Sequence, residues 1–476
     1  MIFASKAFLV FLPVVLLVYH LLGRRTPKYA FLLAASWAFY AWFSPQYLWV
    51  LLLLTAVDYA VGLKLDRETD DRIRRRWVAV SVVANLGLLA GFKYTAFAYD
   101  GGSAVAGWLG YDVRPRGWEI ILPLGISFHT FQGISYTVDV YRRQIPAVRS
   151  FPDYALFVAF FPQMAAGPIV RAAEFLPQMA APPAVSAGQV SDGLRLFVTG
   201  LFKKLFIADQ LDRLFVGPVF ADPGAFGPDA HRWAAVAWAV QIYCDFSGYS
   251  DMAVGCAKWF GFEFPANFDR PYLATSMPDF WRRWHLSFST WLRDYLYYPL
   301  GGSRRGEART CFNLMTVFVL CGLWHGATPA WLVYGLVYGA LMVAHRVYDR
   351  ALAGVGWADR VRSSPAWQLV AWAGTMVQLL AGLIVIRVPD PAAGETMLRS
   401  LFAAGGGAPG PGGVPVWVPL LVAAGMAGHA GSLVRARVRL PVAVPEGVRA
   451  VGYAAVVALL VALSPGAGKT FIYIQF

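Results

Sequence analysis

The chain has 476 residues, of which 58% are hydrophobic and only 14% charged, and its mean hydropathy is +0.50. Soluble domains carry about a quarter of charged residues, so a string of soluble domains is excluded, and the spacing of apolar runs predicts one polytopic membrane domain of roughly 11 to 12 segments. The net charge of +13 does not mark a nucleic-acid binder, because the basic residues sit in short clusters at the ends of apolar runs, as in cytoplasmic loops.

Residues 2–22 form the first apolar run. Its leading region holds only Lys6 and no small-residue cleavage motif follows it, so it reads as a retained helix rather than a signal peptide. Arg24, Arg25 and Lys28 come next, which puts that loop in the cytoplasm and the N-terminus outside. Runs at 29–43 and 47–63 return the chain to 64–76, a basic inner loop with six Lys and Arg. Residues 77–97 cross outward to a Gly-rich loop, and 120–141 lead back to Arg142, Arg143 and Arg149.

The middle of the chain is less regular. Residues 154–170 hold Pro162, Gly167 and Pro168 and fit a full span, a broken helix or a re-entrant segment. Residues 194–215 carry Lys203, Lys204 and Asp209, which places that run partly at the interface. Residues 233–260 contain Asp245, Ser247, Gly248 and Asp251 and are too polar to face lipid throughout. Trp281, Trp284, Phe288, Trp291 and Tyr295 recur at helical steps of three and four, predicting one amphipathic interfacial helix over 280–298 with Arg282, His285, Ser289 and Arg293 on the adjoining face. A basic cytoplasmic loop, 304–309, precedes spans at 310–325 and 331–347. The last three segments are expected near 367–386, 416–433 and 451–463.

Ionisable residues at membrane depth cost about 2.5–3.5 kcal/mol on insertion scales and are functional candidates by default. His325, after Trp324 and between Gly322 and Gly326, is the strongest. His285 divides evenly between a solvated structural role and a functional one, and His129 reads as a helix-to-helix hydrogen-bonding group. Asp245 and Asp251 are six residues apart and cannot share a face of a regular helix without a break at Gly248, so they read as supporting groups. GAGKT at 466–470 lacks the first glycine of a phosphate loop, and the His345/Asp349 pair sits among arginines at the cytosolic end of a span. The four cysteines lack CxxC spacing and read as buried thiols. Neither a nucleophile elbow nor a metal-ligand pattern is present in the sequence. A buried histidine without a protein nucleophile suits transfer between two bound substrates, with histidine as general base; a proton-coupled transporter uses the same ingredients.

The motifs IFASKAFLVFLP, LPLGISFHTFQGISYTVDVYR (122–142), FVAFFPQMAAGPIVR (157–171), YCDFSGYSDMAVG, FDRPYLATSMPDFWRRWHLSFSTWLRDYLYYPLGG, GLWHGATPAWLVYG and the terminal FIYIQF occur in an order that resembles the membrane-bound O-acyltransferase family, in its bacterial branch acting on exopolysaccharides. The resemblance implies an all-α horseshoe of membrane or re-entrant helices around a central tunnel, one domain over 1–476 with its core motifs in 120–345. It implies an O-acetyltransferase of the bacterial inner membrane that carries acetyl from cytosolic acetyl-CoA toward hydroxyls of alginate or a similar extracytoplasmic polysaccharide. The implied partner is an SGNH-type acetyl-carrying protein; no cofactor is held permanently. His325 becomes the catalytic base and His285 its companion, with Asp245, Ser247, Asp251 and Trp324 supporting. Arg282 and Arg283 shape the tunnel or the CoA entrance; Arg304 and Arg305 suit a CoA phosphate electrostatically, and a positive-inside loop explains them equally well. Within the same family, D-alanyl transfer toward teichoic acid is the alternative; outside it, a transporter.

Overall fold

The computed structural model describes residues 3, 5–111, 117–118, 120–164, 167–180, 184–402, 413–435, 451–453 and 455–456. Among them all regular structure is helical, as an apolar setting demands of a backbone that must satisfy its own hydrogen bonds. Four helices are long and apolar enough to cross a bilayer: Pro45–Arg67, Asp71–Trp108, Pro329–Ala351 and Pro365–Arg387. Lys6–Leu21 and Trp417–His429 are shorter apolar helices. The other predicted segments appear as shorter, broken or more polar helices. The terminal FIYIQF and the GAGKT run lie outside the described residues, as do most of 451–463 and of the two loops before it.

The chain forms two compact units, residues 1–193 with 253–265 and residues 194–252 with 266–476. The first is built on phenylalanine. Phe8, Phe39 and Phe161 meet edge to face or tilted with centroids 5.6–6.2 Å apart, and Phe160, Phe175 and Phe262 form a second cluster in which Phe175 stacks on Phe262 at 4.7 Å. Interleaved aromatic edges and faces suit tight packing where lipid supplies no hydrophobic drive.

Two expectations for this unit change. The basic loop over 64–76 is mostly helix, since Leu48–Arg67 ends and Asp71–Trp108 begins within it. Arg74 is 2% exposed rather than solvated, donating to the carbonyls of Leu65, Glu68, Val140 and Tyr141. Of the three alternatives for 154–170, the described residues show the broken helix, Phe151–Ala159 followed by Phe161–Met164.

In the second unit the helix Pro228–Trp259, whose first part (228–252) belongs here, runs without interruption through Gly248. With no break at Gly248, the condition under which Asp245 and Asp251 could share one face is not met; Gly248 serves close packing, since a Cβ on it would lie 2.7 Å from the Gly200 carbonyl oxygen. The run before it is wound partly as π-helix, over Lys203–Ala208 and Asp212–Val216, a widening frequent at functional sites. Glu307–His325 and Pro329–Ala351 form a hairpin, and Pro365–Arg387 packs against the latter.

Candidate active site

The predicted aromatic helix over 280–298 is not one helix. Met277–Trp281 stops, His285 takes a left-handed backbone (φ 45°, ψ 55°), and a second helix, Leu286–Leu292, starts after it and continues as π-helix over Arg293–Tyr297. A positive φ at a residue other than glycine costs about 1–3 kcal/mol and persists only where its surroundings impose it.

The surroundings here are Asn267. Its carbonyl accepts from Leu286 N at 2.9 Å, and its side-chain Oδ1 accepts from Ser287 N (3.2 Å), Ser287 Oγ (2.9 Å) and His285 Nδ1 (3.2 Å). Because a backbone N–H can only donate, the Ser287 bond fixes the amide orientation, which makes Nδ1 the protonated nitrogen of a neutral His285 and Nε2 the basic one. Asn267 Nδ2 donates in turn to Ser250 Oγ at 3.1 Å. His285 is 1% exposed, so the solvated reading of it fails.

His325 ends the helix Glu307–His325. Trp331 stacks on its ring with centroids 5.1 Å apart, and this needs a residue without a side chain at 326: a Cβ there would fall 1.9 Å from Trp331 Cδ1. Phe288 and Trp324, stacked on each other at 4.2 Å, stand between the two histidines. Phe288 lies 5.1 Å from His285 and 5.8 Å from His325; Trp324 lies 6.4 and 4.6 Å from them. The structure thus gathers both histidines and Trp324 into one aromatic cluster.

His325 also lines a cavity of about 30 Å³ with Ile242, Tyr272, Trp284, Trp331, Tyr334 and Tyr338 among its walls. That volume admits one or two water molecules, so a substrate enters only as the walls move.

The helix Pro228–Trp259 presents two faces to this region. Ile242 on the cavity, Phe246 4.6 Å from His285 and Ser250 on Asn267 are spaced by four and share one side. Asp245, Gly248 and Asp251, spaced by three, occupy the opposite side. There Asp245 pairs with Lys204 at 2.5 Å, Asp251 with Lys203 at 2.7 Å, and Lys204 also with Asp209 at 2.9 Å. Lys204 is 2% exposed, so it is buried in an ion-pair network rather than set at an interface. The two aspartates face lysines, not substrate space, and Ser247 is buried on the same helix.

Arg282 and Arg283 flank Asp279, at 4.0 and 3.0 Å, and Arg304 and Arg305 are exposed; none of the four lines the His325 cavity. His129 is buried in the first unit, where its Nε2 has no hydrogen-bond partner. Among the described residues there is no group of three or more His, Cys, Asp or Glu able to hold a metal. Cys244, Cys256 and Cys321 are buried thiols and Cys311 is partly so. His345 and Asp349 pair at 3.1 Å within one helix, with Asp349 half exposed.

Sequence reasoning missed Asn267 and the pairing of Lys203 and Lys204. Asn267 stands in PANFDRP, where only its lack of helical context marked it.

The membrane-bound O-acyltransferase family model matches residues 129–381. The chain is 37% identical to the probable alginate O-acetylase AlgI of Pseudomonas syringae pv. tomato over 85% of its length and 76% of the relative's. It is 36% identical to the peptidoglycan O-acetyltransferase of Helicobacter pylori (72% of this chain, 69% of the relative). It is 27% identical to the teichoic acid D-alanyltransferase of Bacillus subtilis over 49% of this chain and 61% of the relative. With both histidines inside the matched stretch, this multi-pass, all-helical chain belongs to the membrane-bound O-acyltransferase family.

Proposed function

We propose that the protein transfers an acetyl group from cytosolic acetyl-CoA toward hydroxyl groups of an extracytoplasmic polysaccharide, alginate or a similar polymer. The setting is the bacterial inner membrane with the N-terminus outside, and an SGNH-type acetyl-carrying protein is the proposed relay to the polymer. The observation that carries the reading is His325, set in the wall of a small aromatic-lined cavity in a chain of O-acyltransferase ancestry. In the reaction His325 takes the proton of the attacking hydroxyl as its oxygen bonds to the acetyl carbon. The carbon–sulfur bond of the thioester then breaks, and the proton passes to the leaving thiolate. A neutral imidazole can do this only where water is kept away from the thioester, which the aromatic walls favour.

His285, with Nδ1–H held by Asn267, is proposed as the fixed companion that shapes the site from behind Phe288 and Trp324. Asp245, Ser247 and Asp251 act by holding the helix that carries Ile242, Phe246 and Ser250. Arg282, Arg283, Arg304 and Arg305 are proposed to attract the donor's phosphates at the cytosolic surface.

The test uses the purified full chain in nanodiscs with labelled acetyl-CoA and a soluble hydroxyl acceptor. Wild type is expected to release CoA in step with acceptor ester, and His325→Ala to lose transfer by 10²–10⁴-fold at unchanged thermal stability. Wild-type turnover by a folded His325→Ala protein sinks the reading. Turnover with an acyl-carrier thioester but not with acetyl-CoA moves it to the D-alanyl branch.

A further inference from the structure

A second, larger cavity of about 550 Å³ opens in the second unit, within the usual range for small-molecule sites. Its walls come from three helices and from Thr275, Ser276 and Met277 at the start of Met277–Trp281. Leu341, Tyr348 and Asp349 lie on Pro329–Ala351, Val370 and Gly374 on Pro365–Arg387, and Arg362 on the short helix Gly356–Ser363. The polar groups gather at the ends of the helices that carry the basic cluster Arg346, Arg350, Arg360 and Arg362. The rest of the wall mixes apolar side chains with the uncharged polar Thr275, Ser276, Gln368, Thr375 and Gln378.

Three observations fix the depth and the opening of this cavity. Gly356–Ser363 carries exposed Trp357 (60%) and Val361 (43%) beside Arg360 and Arg362, the make-up of a helix lying in the lipid headgroup layer. Tyr348 and Trp367 in the wall are of the kind that lines that layer. Val370, which lines the cavity, is itself 60% exposed on an apolar membrane-crossing helix, so the cavity opens sideways toward hydrocarbon.

Its charges are only partly matched: Asp349 has His345 Nε2 at 3.1 Å on its own helix, and the cations beside it are shared out unevenly. Arg346 and Arg350 are committed to Glu307, at 2.5 and 2.8 Å. The Arg362 guanidinium lies over the Tyr348 ring at 4.7 Å and reaches Asp349 only at 3.5 Å, beyond the 2.7–2.9 Å typical of a charge-assisted bond. Its Nε and second terminal nitrogen are buried without a hydrogen-bond partner. Buried guanidinium donors are normally satisfied, and here a cation and a half-exposed carboxylate stand side by side at headgroup depth.

We propose that this cavity holds a zwitterionic membrane phospholipid with a primary amine headgroup, its phosphate on Arg362, its ammonium on Asp349 and an acyl chain along Leu341, Val370 and Gly374. A free anion would use Arg362 but leave Asp349 opposed and the apolar wall empty. A short-chain acyl donor needs no opening toward hydrocarbon. This site is independent of the acyl-transfer reading, because lipid retention requires no turnover.

The full chain, reconstituted in nanodiscs of equal phosphatidylethanolamine and phosphatidylglycerol, is released and analysed for retained lipid by native mass spectrometry. Wild type is expected to keep phosphatidylethanolamine several-fold over phosphatidylglycerol. Arg362→Gln loses retention at least fivefold and Arg362→Lys recovers part of it. Asp349→Asn keeps phospholipid but loses the headgroup preference, a result readable even where Arg362→Gln lowers stability. Equal retention of the two lipids by wild type, or retention unchanged in Arg362→Gln, overturns the proposal. So does displacement of the lipid by acetyl-CoA, which would make the cavity part of the donor path.

Discussion

Replacing Asn267 by Leu is expected to damage the site through several bonds at once. The substitution keeps the volume but deletes the oxygen that accepts from His285 Nδ1–H, Ser287 N–H and Ser287 Oγ–H, and the amide that donates to Ser250. Asn267 and Ser250 are 3% exposed, His285 1% and Ser287 7%, so water cannot replace the lost partners. A buried polar group left unmade costs about 1–3 kcal/mol. Ser250 and the Ser287 hydroxyl can rotate to other partners, whereas the Ser287 amide and the imidazole cannot, which sets the net loss at about 2–6 kcal/mol. The left-handed turn at His285 keeps the main-chain bond from Leu286 N to the Asn267 carbonyl but loses its side-chain restraint, so acetyl transfer is expected to fall further than stability does. SDS unfolding followed by tryptophan fluorescence measures the first effect, and CoA release the second. A double-mutant cycle with Ser287→Ala isolates the shared acceptor, and a coupling of about 0.5–3 kcal/mol is expected. Additive effects, or a loss below about 1 kcal/mol for Asn267→Leu, would refute the reasoning.

Gly326→Ala forces the Trp331 indole off His325; overpacking of about 1–3 kcal/mol accompanies a loss of transfer of more than tenfold, read in the same two assays. Lys204→Met strands Asp209 and Asp245 in the interior and is expected to cost about 3–5 kcal/mol, whereas Asp245→Asn, which leaves the Lys204–Asp209 pair intact, costs less in the same unfolding assay. The double substitution Arg304→Ala with Arg305→Ala is expected to raise the apparent KM for acetyl-CoA several-fold at low salt with kcat unchanged. The difference should vanish near 0.5 M salt, where exposed charges are screened.

The membrane class and the four long apolar helices were legible because an apolar run of about 20 residues matches the thickness of a bilayer and far exceeds what a soluble core helix buries. His325 was legible because a titratable ring between glycines in an apolar run is costly without a use. The break at His285 left no trace, since Trp284, His285 and Leu286 include neither glycine nor proline and the aromatic spacing runs straight through them. The left-handed turn is imposed by Asn267, 18 residues upstream in sequence, a contact that no local pattern encodes. Lys203, Lys204 and Arg74 were misplaced for one reason. Positive charge near an apolar run reads as a boundary unless its partner is known, and the partners, Asp251, Asp245 and four carbonyl oxygens, are remote or on the main chain.

The helix Asp71–Trp108 has a mechanical consequence. Its 38 residues span about 57 Å at 1.5 Å each, against about 40–45 Å for a whole bilayer with its headgroups. The Arg74 bonds anchor the end near Asp71, so the surplus emerges at the end bearing Trp108, which is 86% exposed. Set upright with its Asp71 end at one headgroup layer, the helix would carry two or three turns clear of the lipid as a rigid post, holding anything that settles on that face about 10–15 Å from the headgroups. Excising seven residues from the post, about two turns, would lower that clearance by about 11 Å without rotating the tip.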